Sequence, residues 1–338
     1  MSNKLNVSAS PHVRSKVTTS ALMLDVVIAM IPTALLGIYN CYRMSPAAGI
    51  NAVLVILLCC GSCVLTEYLF EKGTKKSVTI GDYSAIVTGL ILALNMPTAM
   101  GVGDLWICVI GGVFAILVVK MLYGGLGQNF MNPALAARCF LLISFAGKMT
   151  QFIPENSDLA AVTSATPLAD LKMNGLSTML SHYSLTDLVV GTIPGTIGET
   201  SVIALLIGAA YLLYKKVINW RIPFTYIAVE AIIALIYGVV TLGGGDGLMY
   251  MLVNVCSGGL IFGAFFMATD YVTSPITPKG QIVFGVCLGA LTAIFRIWGG
   301  SAEGVSYAII FCNILVPLIE KVTLPVPFGK EVKKNEVQ

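Results

Sequence analysis

Several stretches of this sequence hold residue types that could do chemistry. The segment 162–168 (VTSATPL) sets hydroxyls among small residues just ahead of a proline. Taken alone it reads as a turn or helix start, with Pro167 at the first helical position and a hydroxyl placed to cap free N–H groups. The segment 191–200 (GTIPGTIGET) is a glycine-rich run entering an apolar stretch. Such backbone can hold a phosphate through free N–H groups and the helix dipole. It can equally be a capped turn in which Glu199, Thr200 or Ser201 satisfies the first N–H groups. In 124–133 (GGLGQNFMNP), Asn129 and Asn132 offer amide donors and acceptors, or the segment is a tight loop capping a short helix. Asp25, Glu67, Glu230 and Asp270 lie inside or near the ends of apolar runs, where ionisable groups are costly and suggest handling of Na⁺ or protons. Asp25 and Glu67 could instead sit near an interface and pair with basic residues. Asp270 opens the string DYVTSP, where freed carbonyls and helix ends can coordinate a cation.

Other chemistries are excluded or unsupported. No Walker loop, HExxH, GxSxG, zinc-type spacing or dinucleotide fingerprint occurs. Of the nine cysteines, Cys59, Cys60 and Cys63 form a CxxC inside LLCCGSCVL, a spacing that fits an iron–sulfur or zinc ligand pair. No second CxxC or histidine cluster completes such a site, so the cysteines read as small apolar residues filling helix contacts. The net charge of +3 is too small to imply nucleic acid.

The elements that must position these residues are membrane helices. The 338-residue chain is 57% hydrophobic and only 11% charged, against about 25% charged in soluble domains, so lipid must be its main solvent. No short cleavable signal peptide precedes the first long apolar run. A helix needs roughly 17–25 apolar residues to cross the hydrocarbon core. Runs at 21–40, 49–70, 105–122, 201–214, 223–242, 249–268, 281–298 and 305–319 read as clear spans. Two shorter, broken ones lie at 84–96 and 133–146, which predicts about ten transmembrane helices. With the N-terminus in the cytoplasm, only Arg43, Lys148, Lys172 and Arg296 of the 20 Lys and Arg residues fall on the outer side, as the positive-inside rule requires. Tyr39, Tyr68, Tyr123, Trp220 and Trp298 read as interfacial anchors.

The expected organisation is a cytoplasmic N-terminal segment (1–20), a first five-helix repeat (21–147), a long polar extracytoplasmic loop (148–200), a second five-helix repeat (201–321) and a cytoplasmic tail (322–338). An odd number of helices per half forces the halves to run in opposite directions, giving an all-α inverted repeat with broken half-helices. TGLILALNMP, KMLYGG and NPALAARCFLL in the first half find partners in GAFFMATDYVTSP, RIWGG and GVSYAIIFCNILV in the second.

TSATPLA resembles the flavinylation site of the membrane D subunits of Rnf complexes and of the B subunits of sodium-pumping NADH:quinone reductases. The resemblance runs from Ser10 to about Lys321. Its strings, in the family's order, include SPHVRSKVTTSALMLDVVIAMIP, TGLILALNMP, YGGLGQNFMNPALAARCF, GTIPGTIGETS, FGAFFMATDYVTSP and EGVSYAIIFCN. It implies that Thr166 is joined to FMN by a phosphoester, with small Ser164 and Ala165 admitting the modifying transferase. On that reading Gly195, Gly198 and Glu199 help cradle the attached flavin. Asn129 and Asn132 belong to a second pocket for a non-covalent flavin such as riboflavin. The implied activity is that of one component, inactive alone, of a ferredoxin:NAD⁺ oxidoreductase coupled to Na⁺ or H⁺ movement in a bacterial or archaeal cytoplasmic membrane, both termini facing the cytoplasm. Its implied partners are cytoplasmic Fe–S and flavin subunits, cluster-bearing membrane subunits and an extracytoplasmic FMN subunit, with ferredoxin and NAD reached only through them. The quinone-reductase B subunit, which typically carries an N-terminal extension not seen here, is one alternative. A non-redox channel or transporter on the same helices is another.

Overall fold

The computed structural model describes residues 17–152, 165–199, 201–300 and 304–325, and among these every regular element is a helix. The first half comprises α1 (Thr19–Met44), α2 (Pro46–Gly73), the short α3 (Ser84–Leu94), α4 (Trp106–Val113) running on as a π-helix (Phe114–Met121), and the short α5 (Pro133–Ser144). A one-turn α6 (Ala146–Met149) follows, and then three short helices outside the main bundle: α7 (Pro167–Asn174), α8 (Leu176–His182) and α9 (Leu185–Val190). The second half holds α10 (Val202–Tyr214), α11 (Arg221–Leu242), α12 (Gly244–Cys256), α13 (Leu260–Phe262) continuing as a π-helix (Gly263–Met267), α14 (Pro278–Ile297) and α15 (Val305–Thr323).

Six helices are long and apolar enough to cross a membrane, and a seventh candidate is the pair α12 with α13 and its π stretch, bent by 55°. The apolar helices α3, α5 and α10 are shorter. Each apolar run of the sequence is thus helical, but two readings change. The run 249–268 is not one straight span: Gly258 and Gly259 adopt φ of 68° and 65°, a left-handed conformation that glycine reaches without steric cost and that interrupts the helix. The run 201–214 is only 13 helical residues, below the usual spanning length.

Side chains such as Leu35, Leu57, Ile232, Ile236 and Leu318 face outward, as lipid requires. Helices approach closely where a Cβ is missing. A Cβ on Gly112 of α4 would lie 2.0 Å from Ser62 Oγ of α2, and one on Gly289 of α14 would lie 2.7 Å from Val229 Cβ of α11. Small residues at such crossings let backbones meet where lipid gives no hydrophobic drive between helices. The cysteine triplet serves the same packing, with Cys59 and Cys63 buried. No group of three metal-ligating side chains occurs among the described residues.

The two halves are joined at the centre. Arg138 of α5 donates to Asn95 Oδ1 at the end of α3 (2.6 Å) and to Ser306 Oγ of α15 (3.1 Å). Asn132 Nδ2 donates to Met267 O (3.2 Å). Lys120 and Arg138, counted by charge on the cytoplasmic side at helix ends, are both buried and bound by partners. The topological signal therefore rests on the remaining basic residues.

Candidate functional site

Thr166, itself in an extended conformation, caps α7: its Oγ1 accepts from Ala169 N (3.3 Å), and Pro167, which lacks an N–H, occupies the first turn. This is the capped helix start that the sequence predicts. The residue is half-buried and borders a small pocket with Ile193, Pro194, Gly195, Glu199, Ser257 and Gly258. Three separate segments meet there, bringing Thr166, Gly195 and Glu199 to one pocket. Gly198 does not take part. Its N–H donates to Leu94 O (2.7 Å), and its Cα is packed on Leu94, so it pins the loop to the end of α3. Ser201, not Glu199, caps α10 by accepting from Ala204 N (3.4 Å). Glu199 instead accepts from Thr196 Oγ1 (2.9 Å) and lies against Gly259. Ala165 is exposed, and Ser164 lies outside the described residues.

The outer helices are ordered by charge as well as by their own apolar cluster of Leu168, Leu171, Leu176, Met179, Leu188 and Ile193. Burial raises the Asp170 carboxyl pKa, but bonds from Asn174 Nδ2 (2.6 Å) and with His182 Nδ1 (2.9 Å) outweigh it and hold the group below the usual carboxylate range. The Ser184 hydroxyl and N–H hold Asp187 low in the same way, closing a capping box on α9. Burial lowers the Lys172 pKa. Its ammonium donates to Arg296 O (2.9 Å) and to Gly299 O, tying α7 to the end of α14.

Two clefts flank this framework. The inner one encloses about 750 Å³, its open mouth included, and is lined by residues of both halves, among them Thr88, Asn129, Asn132, Phe265, Phe266 and Asp270. Its mainly apolar wall with a few convergent polar groups suits a heteroaromatic ligand. Asn129 Nδ2 donates to Met131 O (3.1 Å). Asn132 is more committed: Oδ1 caps α5 by accepting from Ala134 N and Leu135 N, and Nδ2 holds Met267 O. The segment 124–133 is thus a loop that caps α5 and also forms part of the cleft wall. Asp270 accepts from Thr273 Oγ1 (3.1 Å) and Val272 N (3.4 Å).

The outer cleft, about 690 Å³ with its mouth, lies between α7 and the helices α11, α12 and α14, lined by Leu171, Lys172, Tyr237, Tyr250, Asn254 and Arg296 among others.

Each cleft carries a buried ion pair. Lys120 lines the inner one and donates to both oxygens of Glu67 (2.9 Å each) and to Ser84 Oγ (2.6 Å). Arg296 lines the outer one and donates to Glu230 Oε1 (3.0 Å), Asn254 O (2.5 Å), and Ser257 O and Gly258 O (3.0 Å each). All four charged side chains are at most 2% exposed. Sequence reasoning does not reveal the two clamps as units. The signals it offers are single charges inside apolar runs, at Glu67, Lys120, Glu230 and Arg296. Asp25 behaves as the interfacial reading allows, accepting from Tyr211 OH (2.7 Å) with Lys215 Nζ at 3.8 Å.

Comparison with known proteins places this arrangement. The NQR2, RnfD, RnfE family matches residues 6–329. The D subunit of the Na⁺-translocating ferredoxin:NAD⁺ oxidoreductase complex of Acetobacterium woodii is 44% identical, with 99% of each chain covered. The D subunit of the proton-translocating ferredoxin:NAD⁺ oxidoreductase complex of Clostridium ljungdahlii is 42% identical over 97% of each. The D subunit of the ion-translocating oxidoreductase complex of Aliivibrio salmonicida is 32% identical over 96% of this chain and 98% of its own.

Proposed function

This chain belongs to the NQR2, RnfD, RnfE family, and from that premise we propose that it is the D subunit of an Rnf-type ferredoxin:NAD⁺ oxidoreductase complex, carrying FMN on Thr166. The observation that carries the proposal is the Thr166 hydroxyl, half-buried at the N-terminus of α7 inside the TSATPLA string. A phosphoester there adds negative charge where the helix dipole favours it. The pocket formed with Gly195, Glu199 and Ser257 leaves the modified side chain outside the bundle, within reach of a transferase.

The inner cleft is proposed to hold the non-covalent flavin, with Asn129 and Asn132 at its rim and Lys120 and Ser84 deeper. FMN and riboflavin supply one- and two-electron chemistry; the protein supplies position, exclusion of water and charge. One broken segment, from Ser257 and Gly258 beside Thr166 to Phe265 and Phe266 in the inner cleft, connects the two sites. A change at one can therefore shift the other, as coupling to ion movement requires. The two relatives of highest identity named above differ in their pumped ion, so the ion follows from details finer than the shared fold.

The topology we propose is ten helical segments in two inverted halves within the cytoplasmic membrane, both termini inside. Two things support it. The six long helices, the bent pair and the three shorter ones account for each expected segment. In both halves a basic residue one position before the end of the fourth member reaches an acid on the second member, and also an oxygen that lies at the start of the short third member in the first half (Ser84 Oγ) and in the break just before it in the second (Ser257 O). In the second half that short third member is α13 with its π stretch, and α12 precedes it.

The test of the cofactor is in-gel flavin fluorescence of the denatured chain, produced in cells that possess the transferase, with mass spectrometry of the 165–175 region. Wild type should fluoresce and Thr166→Ala should be dark. A dark wild-type band would remove the flavin reading and leave a membrane scaffold or channel.

A further inference from the structure

Glu230 Oε2, Arg296 Nε and Ser257 Oγ are buried and have no hydrogen-bond partner among the described residues. They form one cluster. Arg296 Nη1 donates to the other oxygen of Glu230 (3.0 Å), and Arg296 Nη2 donates to the main-chain oxygen of Ser257 (3.0 Å). All three orphaned atoms therefore lie around one guanidinium. Glu230 is 1% exposed and Ser257 2%, so neither can turn to bulk water, and an unbonded polar atom at that depth loses its hydration without recompense.

Water completes this set. Nε is a donor only, a carboxylate oxygen an acceptor only, and a hydroxyl can be either. One or two water molecules that accept from Nε, donate to Oε2 and close on Ser257 Oγ reach the roughly three bonds that a buried water makes. The guanidinium N–H disfavours a cation there, and the carboxylate disfavours an anion.

The cluster also has an approach. Arg296 lines the outer cleft, and Ser257 lines the pocket beside Thr166. On α11, Glu230, Ala234, Tyr237 and Thr241 follow one another at spacings of four, three and four residues, so they share one helix face. Tyr237 and the exposed Thr241 line the same outer cleft. Glu230 is the inner end of that face. Its other titratable neighbours are Tyr226, bonded to Thr292 Oγ1 (2.6 Å), and Tyr250 of α12. The π-helical stretch packed on α11 brings none. Lys172 bonds the main-chain oxygen of Arg296 (2.9 Å). A proton on Glu230 therefore takes the clamp from neutral to a single positive charge.

We propose that Glu230 is a proton-binding site, reached from the outer cleft through water held by Arg296 Nε and Ser257 Oγ, and that it takes up a proton when negative charge arrives at the Thr166 pocket. This rests on the Thr166 reading and adds to it the group that compensates the charge. The electron comes from the donor that the complex oxidises. The proton passes from cleft water to Glu230 Oε2, turning carboxylate into carboxylic acid, while Arg296 keeps its own proton. Reoxidation reverses both, and the proton returns to the same cleft. The exchange is charge compensation on one side of the membrane, not transport across it.

The test is infrared difference spectroscopy of the detergent-purified full-length chain, reduced and reoxidised at an electrode. The Thr166→Ala protein supplies the background of any non-covalent flavin, and in-gel fluorescence establishes that each other variant is loaded. Reduction of the wild type should produce a carboxylic-acid C=O band that shifts in D₂O. Glu230→Gln keeps an acceptor for Arg296 and should lose the band. The same variant should flatten the pH dependence of the covalent flavin's midpoint potential, which a merely structural role would not do. Ser257→Ala leaves the ion pair intact and should slow the appearance of the band severalfold. A loaded wild type without the band, or a band that persists in Glu230→Gln, would overturn the proposal and leave Thr166 as the attachment site. An unloaded wild-type chain would overturn both.

Discussion

The clamp at the inner cleft and the clamp at the outer cleft are alike in plan and different in what they hold. In each, a cation near the end of one helix reaches back to an acid on a parallel neighbour, as the tilt of helical side chains toward the N-terminus favours. Lys120, however, bonds only side-chain atoms, two carboxylate oxygens and one hydroxyl. Arg296 bonds one carboxylate oxygen and three main-chain carbonyls, two of them in the Ser257–Gly258 break. A compact ammonium with rotatable donors can exchange such partners, whereas a planar guanidinium is suited to fixing several acceptors at once. The inner clamp thus ties together side chains of three helical segments, and the outer clamp holds a helix break in shape beside the Thr166 pocket.

The largest effect follows from breaking the outer clamp. Arg296→Met would leave Glu230 charged and unpaired, and removing one partner of a buried pair costs about 3–5 kcal/mol. Thermal unfolding in detergent should show a large fall in midpoint, and the Glu230→Gln/Arg296→Met double variant should regain part of it. A double variant as unstable as the single one would mean that the carbonyl bonds, not the ion pair, dominate, which would sharpen the contrast with Lys120.

A smaller effect is expected at the inner clamp. Glu67→Gln keeps an acceptor for Lys120, and Ser84 Oγ remains, so the loss should be near that of a charged hydrogen bond, about 1.5–3 kcal/mol. Because Lys120 lines the inner cleft, the same variant should change the content of non-covalent flavin, measured after extraction, while covalent flavin in the gel stays as in wild type. If Glu67→Gln spared the extractable pool, the placement of the non-covalent flavin in the inner cleft would be overturned.

Much of this frame was legible in the sequence, because hydropathy and the Gly/Pro interruptions speak directly to which segments avoid water. The start of α7 at Thr166–Pro167 was legible too, since capping chemistry is local. The break at Gly258–Gly259 was not: glycines inside an apolar run do not lower its hydropathy, and only their left-handed backbone ends the helix. Nor did charge counting mark Lys120, Arg138 and Arg296 as paired interior residues, because it assigns every cation near a helix end to one side of the membrane whatever its partners. What distinguishes them is a partner distant in sequence, Asn95 for Arg138 and Glu230 for Arg296. Gly198 illustrates the limit of motif logic. It has the composition of a phosphate cradle, but its N–H is bonded to Leu94 O.

The smallest predicted effect separates the outer helices from both clamps. Asp170 and Asp187 are held below the ordinary carboxylate range by bonds formed only in the folded loop. A depressed folded pKa means that their stabilisation is fully present above the unfolded value, about 3.9 for aspartate, and is lost as pH falls through the lower folded value. Hydrogen exchange in 167–190, corrected for intrinsic rates, should therefore show constant protection of this origin from neutral pH down to about pH 4 and a decline below it. Asp187→Asn should blunt that decline and weaken the α9 cap by about 1 kcal/mol at neutral pH. Protection that rises on acidification would place the stabilising charge elsewhere, on groups whose protonated form is the one favoured in the folded loop.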